Sequence, residues 1–110
     1  MSDSLKVLGQ SAPPAGALTA LYTVPSYCSA TVSSLLVCNT GGGAAKFRVS
    51  VAPNSAADGL KQYLYYDEAL PANRTFAATL GLTLDEGDIL RVQSDTGSVS
   101  FNVFGVEVAE

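Results

Sequence analysis

Between Leu5 and Val108 this chain is a series of short runs in which apolar residues fall at every second position, and that period of two is what most restricts its fold. Phe76, Ala78, Leu80, Leu82 and Leu84 alternate with Ala77, Thr79, Gly81 and Thr83, and Phe47, Val49 and Val51 alternate with Lys46, Arg48 and Ser50. Successive strand side chains point to opposite faces, so each run presents one face to a core and the other to its surroundings. Comparable runs span Leu5–Leu8, Ala17–Val24, Ser29–Cys38, Tyr63–Asp67, Ile89–Gln93 and Val99–Val108, rich in β-branched and aromatic types. Turn-forming clusters separate them: Pro13-Pro14-Ala15-Gly16, Pro25-Ser26, Asn39-Thr40-Gly41-Gly42-Gly43, Pro53-Asn54-Ser55, Pro71-Ala72-Asn73, Asp85-Glu86-Gly87-Asp88 and Asp95-Thr96-Gly97. The pattern predicts an all-β fold, a single-domain antiparallel β-sandwich of jelly-roll-like form with about eight strands. Only Ser55–Lys61 has room for a helical turn, and Gly59 weakens it. Ser2–Ser4 and Ala109-Glu110 read as frayed ends.

With 110 residues, a second domain has no room, and residues 1–110 are expected to form one unit. Charged residues make up 15 %, against a usual share of about 25 %, while apolar residues reach 47 %, which excludes disorder driven by charge. A net charge of −4 gives no electrostatic reason to bind phosphate backbones or anionic lipid, so neither nucleic acid nor membrane is expected as a partner. There is no histidine, which removes the commonest general base and the commonest transition-metal ligand. Met1–Val7 lacks a basic segment followed by an apolar run, and no stretch approaches the ~18 apolar residues of a membrane span. A cytosolic site of synthesis and folding is therefore expected. Cys28 and Cys38 would lie about 33 Å apart along one extended strand, beyond the ~7 Å reach of a disulfide, unless the chain folds back between them. Asn73-Arg74-Thr75 matches a glycosylation pattern by chance, with no secretory signal to support it.

Two segments break the alternation. In Leu35-Leu36-Val37-Cys38 and Val103-Phe104-Gly105-Val106 consecutive residues are apolar, so both faces of those strands need cover. One explanation is a bulge at Gly105 that flips the register between Phe101/Val103 and Phe104/Val106. The other is a subunit interface through Leu36, Phe104 and Val106, favoured because a small domain has little core with which to cover two faces.

Candidate chemistry is sparse. Asp85-Glu86-Gly87-Asp88 gathers three carboxylates and could offer oxygens to calcium, but the spacing is not that of an EF-hand and a polar turn explains it. Tyr63, Tyr65 and Tyr66 beside Asp67-Glu68 suggest a sugar-stacking face, although adjacent carboxylates on a strand point apart and cannot share one substrate. Gly41-Gly42-Gly43 lacks the helix start, lysine and hydroxyl of a phosphate cradle. No serine has a histidine or Ser-x-x-Lys partner. No enzyme activity, catalytic residue, cofactor or metal is expected.

The segments Lys6-Val7-Leu8-Gly9-Gln10, Leu21-Tyr22-Thr23-Val24-Pro25, Val37-Cys38-Asn39, Phe47-Arg48-Val49, Tyr63-Leu64-Tyr65-Tyr66-Asp67 and Phe76-Ala77-Ala78-Thr79-Leu80-Gly81 together resemble small β-rich structural (virion) proteins of tailed bacteriophages. Gly87-Asp88-Ile89-Leu90-Arg91-Val92 and Phe101-Asn102-Val103-Phe104-Gly105 carry the resemblance to nearly the full length. It implies a non-enzymatic virion subunit assembled in the host cytoplasm, first of all a capsid cement or decoration protein. Such a subunit would form a homo-oligomer, a trimer, and contact the major capsid protein. The alternative is a tail-fibre or baseplate component contacting tail proteins. A reading of another class is a carbohydrate-binding module using Tyr63, Tyr65 and Tyr66, against which the absence of tryptophan counts.

Overall fold

The computed structural model describes residues 2–109. The strands are β1 (Ser2–Ser11), β2 (Thr19–Thr23), β3 (Cys28–Asn39), β4 (Ala45–Ala52), β5 (Tyr63–Leu70), β6 (Thr75–Leu84), β7 (Ile89–Ser94) and β8 (Val99–Ala109). They form two four-stranded sheets with orders β1-β8-β3-β6 and β2-β7-β4-β5, every pairing antiparallel. That order is a jelly roll, in which consecutive strands cross between two stacked sheets except β4 and β5, which pair within one. Each expected strand is present, and the sequence turns fall between them.

The core lies where the inward halves of the alternating runs meet. Leu35 and Val37 of β3 and Phe101 and Val103 of β8 face Phe47 and Val49 of β4 and Leu90 and Val92 of β7, all fully buried. Phe47 joins the sheets: its ring lies 5.2 Å from Phe76 and 6.1 Å from Phe101 across the sandwich, and 6.1 Å from Tyr65 on its own side. Such tilted aromatic contacts add about 0.5–1.5 kcal/mol each beyond area burial.

Gly105 does not flip β8. Val99, Phe101, Val103 and Gly105 all point inward, and Phe104 and Val106 point outward, in unbroken alternation. The extra residues lie in the neighbours: β3 inserts Ser33 opposite the Gly105–Phe104 step, and β1 inserts Leu8 opposite the next step, Phe104–Val103. The glycine is required for a different reason. A Cβ at Gly105 would stand 2.1 Å from the Thr31 carbonyl oxygen and 3.1 Å from a Leu8 methyl, because Leu8 turns under β8 to fill the core.

The ends are fastened by side chains. Buried Asn39 donates from Nδ2 to the carbonyls of Gly43 (2.8 Å) and Leu70 (3.2 Å), while Oδ1 accepts from the Gly41 amide (3.0 Å) and the Ser98 hydroxyl (3.1 Å). The Asp85–Asp88 carboxylates are occupied by backbone. Asp88 accepts from the amides of Asn54 and Asp85 (2.8 Å each), Asp85 from Glu86 (2.8 Å), and Glu86 from Tyr27 (2.7 Å). This is a turn with its charges spent on orphan amides.

Two local expectations differ, and the one for the cysteines holds. Ser2–Ser4 pair with Ala109, Val108 and Glu107, so these termini are joined in a ladder rather than frayed, while Glu110 lies outside the described residues. The segment 55–61 holds no central helical turn. Short 3₁₀ turns flank it at Pro53–Ser55 and Leu60–Gln62, the first with Asn54 and Ser55 at φ of 52° and 59°. Cys28 and Cys38 are free thiols on the same strand β3, which does not fold back between them.

Gly105→Ala should lower stability by about 1–3 kcal/mol, the usual cost of overpacking. Gly43→Ala, with nothing within 4 Å of the added methyl, should stay within about 0.5 kcal/mol of wild type. Urea denaturation midpoints compare the two.

Candidate functional site

The outer face of the β1-β8-β3-β6 sheet follows from alternation and register. Leu5 pairs with Val106, and Val7 with Phe104. On the other side of β8, Thr31 of β3 meets Val106, Ser34 meets Phe104 and Leu36 meets Asn102. Leu36 also meets Ala77 of β6, and Thr31 meets Thr83. Leu36, Phe104 and Val106 therefore share one face on adjacent strands, each half-buried. Sequence reasoning missed Leu5 and Val7, which extend the patch over β1 with exposures of 85 % and 47 %. Their signal was present in the alternation of Leu5 and Val7 with Lys6, but a short terminal run does not reveal which face is the outer one.

Apart from Asp3 at one corner, this face has no charged side chain among the described residues. Its polar members are Gln10, Ser29, Thr31, Ser34, Thr75, Thr79, Thr83, Ser100 and Asn102. The nearest charges turn the other way. Glu107, on the inward side at the end of β8, accepts from Lys6 Nζ and from the Tyr22 hydroxyl, both at 2.6 Å. The Lys6 hydrogen bond, then the Tyr22 one, hold the Glu107 carboxyl below its ordinary value of 4.5. Burial, reinforced by Glu107, pushes the Tyr22 hydroxyl well above the usual phenol range. The three side chains tie β1, β2 and β8 at one end of the sandwich.

The tyrosines divide. Bulges in β5 on either side of Tyr65, with Asp67 at φ 52°, turn Tyr63 and Tyr66 outward and Tyr65 inward. Tyr65 packs against Phe76 at 5.2 Å. Tyr63 and Tyr66 meet edge to face at 5.1 Å, and the Arg48 guanidinium covers one face of Tyr66 at 4.0 Å. Arg48 also binds Asp67 at 2.7 Å, and this hydrogen bond draws the Asp67 carboxyl below its ordinary value. A cleft of about 100 Å³ beside them is lined by Gly16, Lys46, Arg48, Asp67, Gln93, Ser94 and Asp95. Its arginine is already neutralised, and Asp95 is engaged by the Lys46 amide at 2.8 Å. The three tyrosines thus do not form one stacking platform, and the more exposed of the outward pair is partly covered.

No family model and no curated protein sequence matches the chain. Among solved structures, one of infectious bursal disease virus, Gx strain, aligns over 98 % of this chain with TM-score 0.50 and 10 % identity. A structure of the Gt strain aligns over 96 % with TM-score 0.48 and 8 % identity. A pentameric capsid protein isolated from metagenomic phage sequences aligns over 94 % of this chain and 60 % of its own, with TM-score 0.32 and 17 % identity. This chain spans about a third of the two bursal disease virus chains, 32 % and 31 %. The Gx-strain likeness is one of fold.

Because the Glu107 carboxyl is depressed in the folded state, its stabilisation is present above pH 4.5 and is lost as pH falls through the folded value. Glu107→Gln should therefore lower the Tm near neutrality and flatten its acid decline relative to wild type. Melting curves from about pH 7 to about pH 3 check this.

Proposed function

We propose that this chain is a non-enzymatic structural subunit of a virion, and specifically a capsid cement or decoration protein. On the particle surface it assembles as a trimer and docks on the major capsid protein through the outer face of the β1-β8-β3-β6 sheet. The observation that carries this reading is that face: Leu5, Val7, Leu36, Phe104 and Val106 lie together on a surface almost without charge. Contiguous apolar surface of this kind marks contact with another macromolecule. A jelly roll shared with a virus structure supports the reading at the level of fold. The carboxylate turn suits a structural role as well, since Asp88 and one oxygen each of Asp85 and Glu86 hold backbone amides. Two free thiols on one strand suit assembly in a reducing host cytoplasm.

Val106→Asp is the direct test. An unpaired charge buried at an interface costs about 3–5 kcal/mol, so the variant should fold with near-wild-type circular dichroism yet be depleted from purified particles more than about a hundredfold. Normal incorporation would exclude this face as the docking surface. Gel densitometry of virions separates the two particle positions: a decoration subunit approaches the shell protein in copy number, and a tail-fibre or baseplate component is present in few copies.

A further inference from the structure

Each sheet has two edge strands whose outer backbone groups lack a ladder partner, and unprotected edges invite pairing with another chain. Three of the four edges are guarded. Strand β1 carries Asp3, Lys6 and the Leu8 bulge, and β2 crosses it so closely that a Cβ on Gly9 would stand 2.2 Å from the Leu21 carbonyl oxygen. Strand β2 has five residues and a bulge. Strand β5 is bulged twice and bears Asp67 and Glu68. Strand β6 also has one irregular step, between Thr79 and Leu82, but it is long and its ten residues contain no charge and no proline. Its inward side chains Phe76, Leu80 and Leu82 reach the core yet remain partly exposed, as if one more strand were needed to cover them.

We propose that β6 pairs antiparallel with β6 of a second copy of this chain about a two-fold axis at Thr79, joining the two outer sheets into one. A second copy suits this edge because of what the register brings together. With Thr79 on the axis, Thr75 meets Thr83 and Ala77 meets Gly81 on the outer face, while Phe76 meets Leu82 and Ala78 meets Leu80 on the inner face. Small residues oppose small ones outside, and the largest apolar pair closes the exposed inner row. At each end Arg74, which makes no ion pair among the described residues, comes opposite Leu84 and next to Asp85 of the partner subunit. Asp85 keeps one oxygen unengaged by the turn. In a chain with net charge −4, this edge is one at which two copies meet without repulsion. A two-fold antiparallel contact is also self-complementary and closed. Gly81, with nothing within 4 Å of an added Cβ, lies in the irregular step between Thr79 and Leu82.

The pairing is independent of any virion role, so it is tested on the isolated protein by sedimentation from low micromolar to about 100 µM. Wild type should form two-fold pairs, and Thr79→Lys, which sets two like charges against each other on the axis, should raise the dissociation constant about fivefold or more. Val106→Asp should leave this pairing intact. Thr79→Cys should yield a disulfide-linked dimer on mild oxidation, well above Thr23→Cys on the β2 edge and above wild type with its two native thiols. A monomeric wild type at the highest concentration, association of Thr79→Lys equal to wild type, or cross-linking of Thr79→Cys no greater than the Thr23→Cys control would overturn the pairing. Loss of association in Val106→Asp with Thr79→Lys unaffected would also overturn it and assign self-contact to the outer face alone.

Discussion

Phe47 is the contact on which the sandwich depends. It projects from one sheet into a gap walled by Phe76 and Phe101 of the other, with Tyr65 beside it and no exposure to solvent. Burying a side chain of this size stabilises by about 1.5–3 kcal/mol, but its larger effect is on register. Because strand side chains repeat every two residues, a slip by one position would turn Phe47 outward and bring Lys46 or Arg48 into the core. Fixing which residues point in also fixes which point out, and the outer faces are where this protein differs from a generic sandwich.

Those two outer faces have opposite character. On the β2-β7-β4-β5 sheet, alternation sets Lys46, Arg48 and Arg91 outward, and Arg48 ties itself to Asp67 and Tyr66. That surface is charged, with Arg48 paired and Lys46 and Arg91 making no ion pair among the described residues. On the other sheet Glu107 and Lys6 are drawn to the inner side at the end of the strands, leaving Leu5, Val7, Phe104 and Val106 outside. The segregation is a property of placement more than of composition, since both sheets draw on the same pool of residues.

Much of this arrangement is legible in the sequence. Strict alternation in Phe76–Leu84 and Phe47–Val51 locates strands because nothing else satisfies a period of two, and the doubled apolar steps Leu35-Leu36 and Val103-Phe104 reveal an outer face that is itself apolar. What is not legible is where an extra residue enters a ladder. Ser33 has no glycine or proline beside it, Gly9 after Leu8 is also required by the close approach of the Leu21 backbone, and the glycine that suggests a bulge, Gly105, is instead needed for a close approach of backbones. The tyrosines show the same gap: the register shift at Leu64 decides that Tyr63 and Tyr65, two residues apart, face opposite sides, and residue type does not encode it. Asn39 reads as a turn residue and proves to be a buried hub, because its role depends on three loops that meet only in the folded chain.

The extra residues of the first sheet fall on one transverse line. Leu8 of β1, Ser33 of β3 and the additional residue of β6 between Thr79 and Leu82 all sit at the level of Phe104. Each such insertion bends its strand and steepens the local coil, so the sheet is creased across its width, with the Phe104 ring beside the fold line. A body seated there must follow that curvature, which gives the surface a shape to be recognised as well as an oiliness, and makes a flat slab a poor fit.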